Sequence, residues 1–83
     1  MTFNQLKYVL ELVEAGSFSA AAQKLGLTQP ALSLQIQSLE NELDFRIVDR
    51  SRKPFELTSE GEIFVEKARE MIILTEWLAD RSF

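Results

Sequence analysis

The twenty residues from Ser17 to Ile36 must hold two short helices with almost nothing between them, and no other feature constrains the fold as much. Ser17 is placed to cap the first helix, and Gly26 to end it in the left-handed conformation that glycine adopts without steric cost. Thr28 then caps the next helix, with Pro30 in its first turn, where a missing N–H breaks no hydrogen bond. A stop and restart within about three residues makes a helix-turn-helix, predicted at about residues 18–37. Ala20, Ala21 and Ala22 are small enough to let the following helix approach closely.

The second helix has two unlike faces. Leu32, Ile36, Leu39 and Leu43 recur at the spacing of one buried stripe. The opposite face carries Gln29, Pro30, Ser33, Leu34 and Gln37, and no charged residue occurs from Thr28 to Leu39. A solvated face of this length ordinarily carries Lys and Glu. Amides and a hydroxyl instead suit base edges: Gln can pair with N6 and N7 of adenine, and apolar groups can meet thymine methyls. An uncharged face packed against another subunit fits the same pattern, so the residues alone leave both open.

A net charge of −4 opposes nucleic acid until it is mapped along the chain. Charges cancel from Met1 to Leu39, and Glu40 to Phe45 carries −3. Arg46, Arg50, Arg52 and Lys53, less Asp49, then concentrate +3 in eight residues, and Pro54 to Phe83 carries −4. Local field rather than the total governs phosphate contact. The basic segment is also β-prone: residues 46–50 and 55–58, around a turn containing Pro54, predict a two-stranded wing at about 46–57. Phe55 and Leu57 alternate inward, with Arg52 and Lys53 at the tip. A charged tip is either solvated or, beside a helix-turn-helix, a contact to phosphate or the minor groove. Arg50, Arg52 and Lys53 are the candidates there. Ser17, Ser19 and Thr28 join them as backbone contacts at helix N-termini, which attract anions, although plain capping is the other use of such residues.

A first helix is predicted from about Thr2 or Asn4 to Ala15, with Leu6, Val9, Leu10 and Val13 as its stripe and Gly16 ending it. A last helix starts at Thr58 or Ser59, where Ser59 to Glu62 has the form of a capping box, and persists to about Asp80. Phe64, Ala68, Met71, Ile72, Thr75 and Leu78 share one face, while Ile63, Ile73, Leu74 and Trp77 lie off it. That is apolar too far round for a monomer of 83 residues. A two-fold dimer with those six residues at its seam is one solution, and cover by a further domain is the other.

Catalysis finds no support. The chain has neither cysteine nor histidine, so Ser17, Ser33 and Ser59 lack an imidazole to activate them and a thiolate metal site is impossible. The acidic residues are spread along helices at solvent spacing, and neither a metal nor a cofactor is expected. The longest apolar run, Met71 to Leu74, is far too short to span a membrane, and the N-terminus lacks a signal-peptide pattern, so no membrane partner and a cytoplasmic location are expected.

In order and without gaps, Leu6, Gly16-Ser17-Phe18-Ser19, Ala21-Ala22, Leu25, Thr28-Gln29-Pro30-Ala31-Leu32-Ser33, Ile36, Leu39-Glu40, Leu43, Arg50 and Leu57-Thr58-Ser59-Glu60-Gly61 resemble the N-terminal DNA-binding domain of LysR-type transcriptional regulators. The resemblance covers about the first three-quarters of the chain, and the family's linker helix accounts for the rest. It implies a mainly α fold: a winged helix-turn-helix of three helices and a two-stranded wing over 1–58, then a long linker and dimerisation helix over 59–83. It also implies a bacterial homodimer reading double-stranded DNA, with a small-molecule effector bound only by a C-terminal domain that this chain does not contain. The competing class is a winged-helix protein-interaction module without DNA binding. Three departures stand out: Asp44 where the family usually has Gly, Val48 where Phe is common, and Leu34 and Gln37 where basic residues are frequent. The first predicts a strained or altered turn, the second a smaller contact under the wing, and the third weaker phosphate anchoring from the helix.

Overall fold

A computed structural model describes residues 1–80 and orders them as α1 (Phe3–Ala15), α2 (Phe18–Leu25), α3 (Gln29–Leu43), β1 (Val48–Asp49), β2 (Glu56–Leu57) and α4 (Ser59–Asp80). Residues 81–83 of the expected linker segment lie outside the described residues.

The start of α1 is set by a reciprocal cap: Thr2 Oγ1 accepts from the Gln5 N–H at 3.0 Å, and Gln5 Oε1 accepts from the Thr2 N–H at 2.9 Å. Gln5 is itself buried and donates from Nε2 to Gln35 of α3 at 3.3 Å. Leu6 and Val9 are buried as expected, but the fully buried residue after them is Leu12, while Leu10 and Val13 are only half-buried. The reason is that α1 is packed from two sides, by α2 and α3 and by α4, so its apolar arc is wider than one stripe.

The helix-turn-helix forms as its caps dictate. Ser17 Oγ accepts from Ala20 N–H at 3.1 Å, Gly26 takes φ 70°, and Thr28 Oγ1 accepts from Ala31 N–H at 3.2 Å. Leu32, Ile36 and Leu39 of α3 join Val9, Leu12, Ala21 and Ala22 in one core that also takes in Ile47, Val48 and Val65. Asp44 ends α3 at φ 63°, ψ 33°, with its N–H donating to Glu40 O at 2.9 Å. The left-handed cap survives without glycine, in a conformation that costs Asp less than most side chains.

The wing is shorter than its β-prone sequence: two residues pair on each side, Val48 with Leu57 and Asp49 with Glu56, antiparallel. Neighbouring backbone groups are satisfied elsewhere. Glu40 takes the N–H groups of Ile47 and Val48, and Asp49 Oδ1 takes that of Ser51 at 3.0 Å.

Thr58, not Ser59, caps α4: its Oγ1 accepts from Gly61 N–H at 2.9 Å and donates to the carbonyl of Arg46 at 2.5 Å. The capping box expected from Ser59 and Glu62 does not form, because Thr58 already holds that position one residue earlier. Gly61 is required by the same packing, since a Cβ there would run into the Ile47 carbonyl. The α4 face carrying Gly61, Val65 and Ala68 is buried within the chain, and Phe64 meets Phe45 edge-on with centroids 6.4 Å apart. Ala68 therefore belongs to the protomer's own core rather than to an open seam. The exposed apolar surface is centred instead on residues the sequence placed off the face: Ile73 is 63% and Leu74 62% accessible, with Met71 and Leu78 beside them. Among the described residues no helix is long and apolar enough to cross a membrane.

Candidate nucleic-acid interface

Gln29, Pro30, Leu34 and Gln37 are exposed on α3, and Ser33 is half-buried among them. Leu34 is 64% accessible, so an apolar side chain in mid-helix contributes little to the core. An open cleft of about 350 Å³ lies where the N-termini of α2 and α3 meet the wing, lined by Ser17, Ser19, Gln29, Ser33, Arg50 and Lys53, with Phe18 and Pro54. The structure thus gathers six of the expected DNA-contact residues from three separate elements. Thr28 caps α3 beside them, while Leu34 and Gln37 continue along the helix outside the cleft.

Three cations that look equivalent in sequence are not equivalent in space. Arg52 and Lys53 are exposed at the wing, Arg52 with Nε 3.6 Å from Glu56 in an open ion pair worth little in solvent. Arg50 is folded inward, with only 30% of its side chain accessible. Its guanidinium carbon lies 4.6 Å from the Phe18 ring centroid, Nη1 donates to Ser33 Oγ, and Nη2 reaches Ser33 O at 3.4 Å. Burial lowers the Arg50 pKa from its ordinary value and Arg46 lowers it further, while Glu40 opposes both. Phe18 also stacks edge-on with Phe55 at 5.9 Å, so one ring joins α2 to the wing.

Glu40 is the residue that sequence reasoning missed. Expected among solvent-spaced acids, its side chain is only 2% accessible. Oε2 accepts from Ile47 N–H at 2.8 Å and Val48 N–H at 3.2 Å, while Oε1 lies 3.5 Å from Arg46 and 4.0 Å from Arg50. Its spacing does not mark it, because a glutamate beside a leucine stripe looks like any helix-flanking acid; the one signal is its place, as Leu39-Glu40, among the residues that resemble the family. At the wing, Asp49 has its pKa lowered by hydrogen bonds from the Ser51 hydroxyl at 2.6 Å and backbone N–H. Among the described residues no group of three or more acidic side chains could hold a metal ion.

A tight helix-turn-helix, an uncharged open face on its second helix and a short basic wing define a winged helix-turn-helix protein. The chain belongs to the lysR family of bacterial regulatory helix-turn-helix proteins, which matches it over residues 3–62. The HTH-type transcriptional regulator TfdT of Cupriavidus pinatubonensis is 38% identical over 82 residues, covering 99% of this chain and 36% of that protein. TcbR, an HTH-type transcriptional regulator of a Pseudomonas species, is 42% identical over 82 residues, covering 99% of this chain and 28% of that protein. The chain therefore spans about a third of these relatives, which are transcriptional regulators rather than enzymes. Among solved structures, the CbnR DNA-binding domain in complex with DNA superposes with a TM-score of 0.91 at 41% identity, over 98% of this chain and 93% of that one. The BenM DNA-binding domain on catB site 1 DNA gives 0.92 at 37% identity, over 95% and 85%.

Proposed function

We propose that this chain is the sequence-specific DNA-binding part of a transcriptional regulator, working as a homodimer on a two-fold-related site. The α3 helix enters the major groove, where Gln29, Ser33 and Gln37 meet base edges and Pro30 and Leu34 supply apolar contact. Arg52 and Lys53 hold flanking backbone or minor groove, and Ser17, Ser19 and Thr28 offer helix N-termini to phosphate. Residues 1–58 form the reading unit and the helix from residue 59 the pairing unit. Regulation by a small-molecule effector belongs to a C-terminal domain outside this chain, and the work is done in the bacterial cytoplasm.

The observation that carries the reading is the continuity of the exposed, uncharged α3 face with the cleft where Ser17, Ser19 and Lys53 converge. Its support from relatives is that two domains of similar fold, 37% and 41% identical, were solved on DNA. A mobility-shift titration against pooled genomic fragments tests it. Retarded species that sharpen to a few fragments as salt is raised are expected. No retarded species even at low salt would overturn the reading in favour of a protein-interaction module.

A further inference from the structure

We propose that Arg50 is a positioning residue for base reading: donating from the wing into Ser33, it turns the Ser33 hydroxyl into a hydrogen-bond donor aimed at the groove. The proposal rests on the DNA-binding reading above and adds to it a chemical preference at one base pair.

Contacts to three residues surround the Arg50 guanidinium. It lies over the Phe18 ring at 4.6 Å, its Nη1 and Nη2 face Ser33 Oγ and Ser33 O, and Glu40 Oε1 stands 4.0 Å from Nη2. A serine hydroxyl has one proton and two lone pairs, and a guanidinium has donors only. The Arg50 N–H therefore occupies one of the two lone pairs of Ser33 Oγ, and the cation polarises the hydroxyl so that its proton is the stronger of the two positions left. Helical Ser and Thr hydroxyls commonly turn back to the carbonyl one turn earlier, as Thr75 does to Met71 O at 2.8 Å. Among the described residues Ser33 makes no such bond, and it lines the open cleft beside Gln29. Its proton is left for whatever enters that cleft.

A free serine can donate or accept, and so discriminates little between bases. A serine whose oxygen already accepts from a cation donates more strongly than it accepts, and so favours guanine or thymine, whose major-groove edges present O6 and O4, over cytosine, which presents only the N4 donor. Arg50 thereby couples the wing's position to what α3 reads, without itself touching a base.

The test is selection from a random duplex pool with the unmodified chain, Ser33→Ala, Arg50→Met and the double variant. The Ser33 position is the one whose preference collapses in Ser33→Ala. There the unmodified chain should favour guanine or thymine over cytosine on the order of tenfold, the size of one net hydrogen bond. Arg50→Met should reduce that preference to under about threefold, and the double variant should lose no more than Ser33→Ala alone. If Arg50→Met does not fold, Arg50→Ala replaces it, since it also has no donor and leaves the Ser33 oxygen free to accept from elsewhere. A full preference retained without Arg50 overturns the proposal. So does a Ser33→Ala loss that is equal on every sequence, which would place the hydroxyl on phosphate. Failure of the unmodified chain to select any duplex at low salt would remove the DNA-binding reading itself, and this inference with it.

Discussion

Glu40 Oε2, in the last turn of α3, accepts the N–H groups of both Ile47 and Val48, at 2.8 and 3.2 Å, so the helix that presents the uncharged open face also anchors the wing. Glu40→Ala removes the acceptor from two buried backbone donors. Hydrogen bonds to charged groups contribute about 1.5–3 kcal/mol, and orphaned buried donors cost as much again as water is excluded. Urea unfolding should show a loss of about 3 kcal/mol. Glu40→Gln, which retains one carbonyl acceptor, should lose clearly less. Equal losses would show that the charge, and not the acceptor, anchors the wing.

Gly61 gives a prediction whose sign runs against helix propensity. In an ordinary helix interior, Gly→Ala stabilises by about 1 kcal/mol. Here the added methyl would overlap the Ile47 carbonyl, a rigid backbone neighbour. Gly61→Ala should therefore destabilise by about 1–3 kcal/mol, the usual cost of overpacking, and lower the thermal midpoint. A raised midpoint would mean that α4 does not sit against Ile47.

On DNA, α3 and the wing should behave oppositely. Gln29→Ala should cost about 1–3 kcal/mol on a selected site and much less on random duplex. Neutralising Arg52 or Lys53 should weaken all duplexes alike and reduce the salt slope by about one unit each. Equal losses for Gln29→Ala on both kinds of DNA would make it a backbone contact, and an unchanged slope without Arg52 and Lys53 would take the wing off phosphate.

The exposed α4 surface predicts self-association through Ile73, Leu74 and Leu78, with Met71 at its edge. Leu74→Glu and Leu78→Glu should give folded monomers with poor DNA affinity, read by sedimentation and circular dichroism together. Ala68→Glu should instead unfold the chain, because it puts a charge inside the protomer core. An unmodified chain that stays monomeric at high micromolar concentration would remove the pairing and leave this surface for another domain.

Much of the architecture is legible because its determinants are local. Ser17, Gly26 and Thr28 set the boundaries of α2 and α3 through hydrogen bonds spanning three to five residues, and the Leu32, Ile36 and Leu39 stripe reports one buried face by period alone. The uncharged residues Gln29, Pro30, Leu34 and Gln37, exposed on α3, are the complement of that stripe. The errors lie where two elements compete for one group. Leu12 is buried because α1 has neighbours on two sides, and the Ser59–Glu62 capping box does not form because Thr58, the other expected cap, holds the position while its hydroxyl also reaches Arg46 O.

The sequence by itself determined the helix-turn-helix, its caps, the place of the wing and the uncharged face of α3, since periodicity and capping act within a few residues of chain. Only the tertiary structure decided that Glu40 is buried, that Arg50 turns inward to Ser33, and that Ala68 packs within the protomer while Ile73 and Leu74 stay open. Glu40 finds its donors seven and eight residues away, and Arg50 finds Ser33 across seventeen. A charged side chain's role depends on which partners the fold brings within about 4 Å, and residue type and spacing carry no record of that distance.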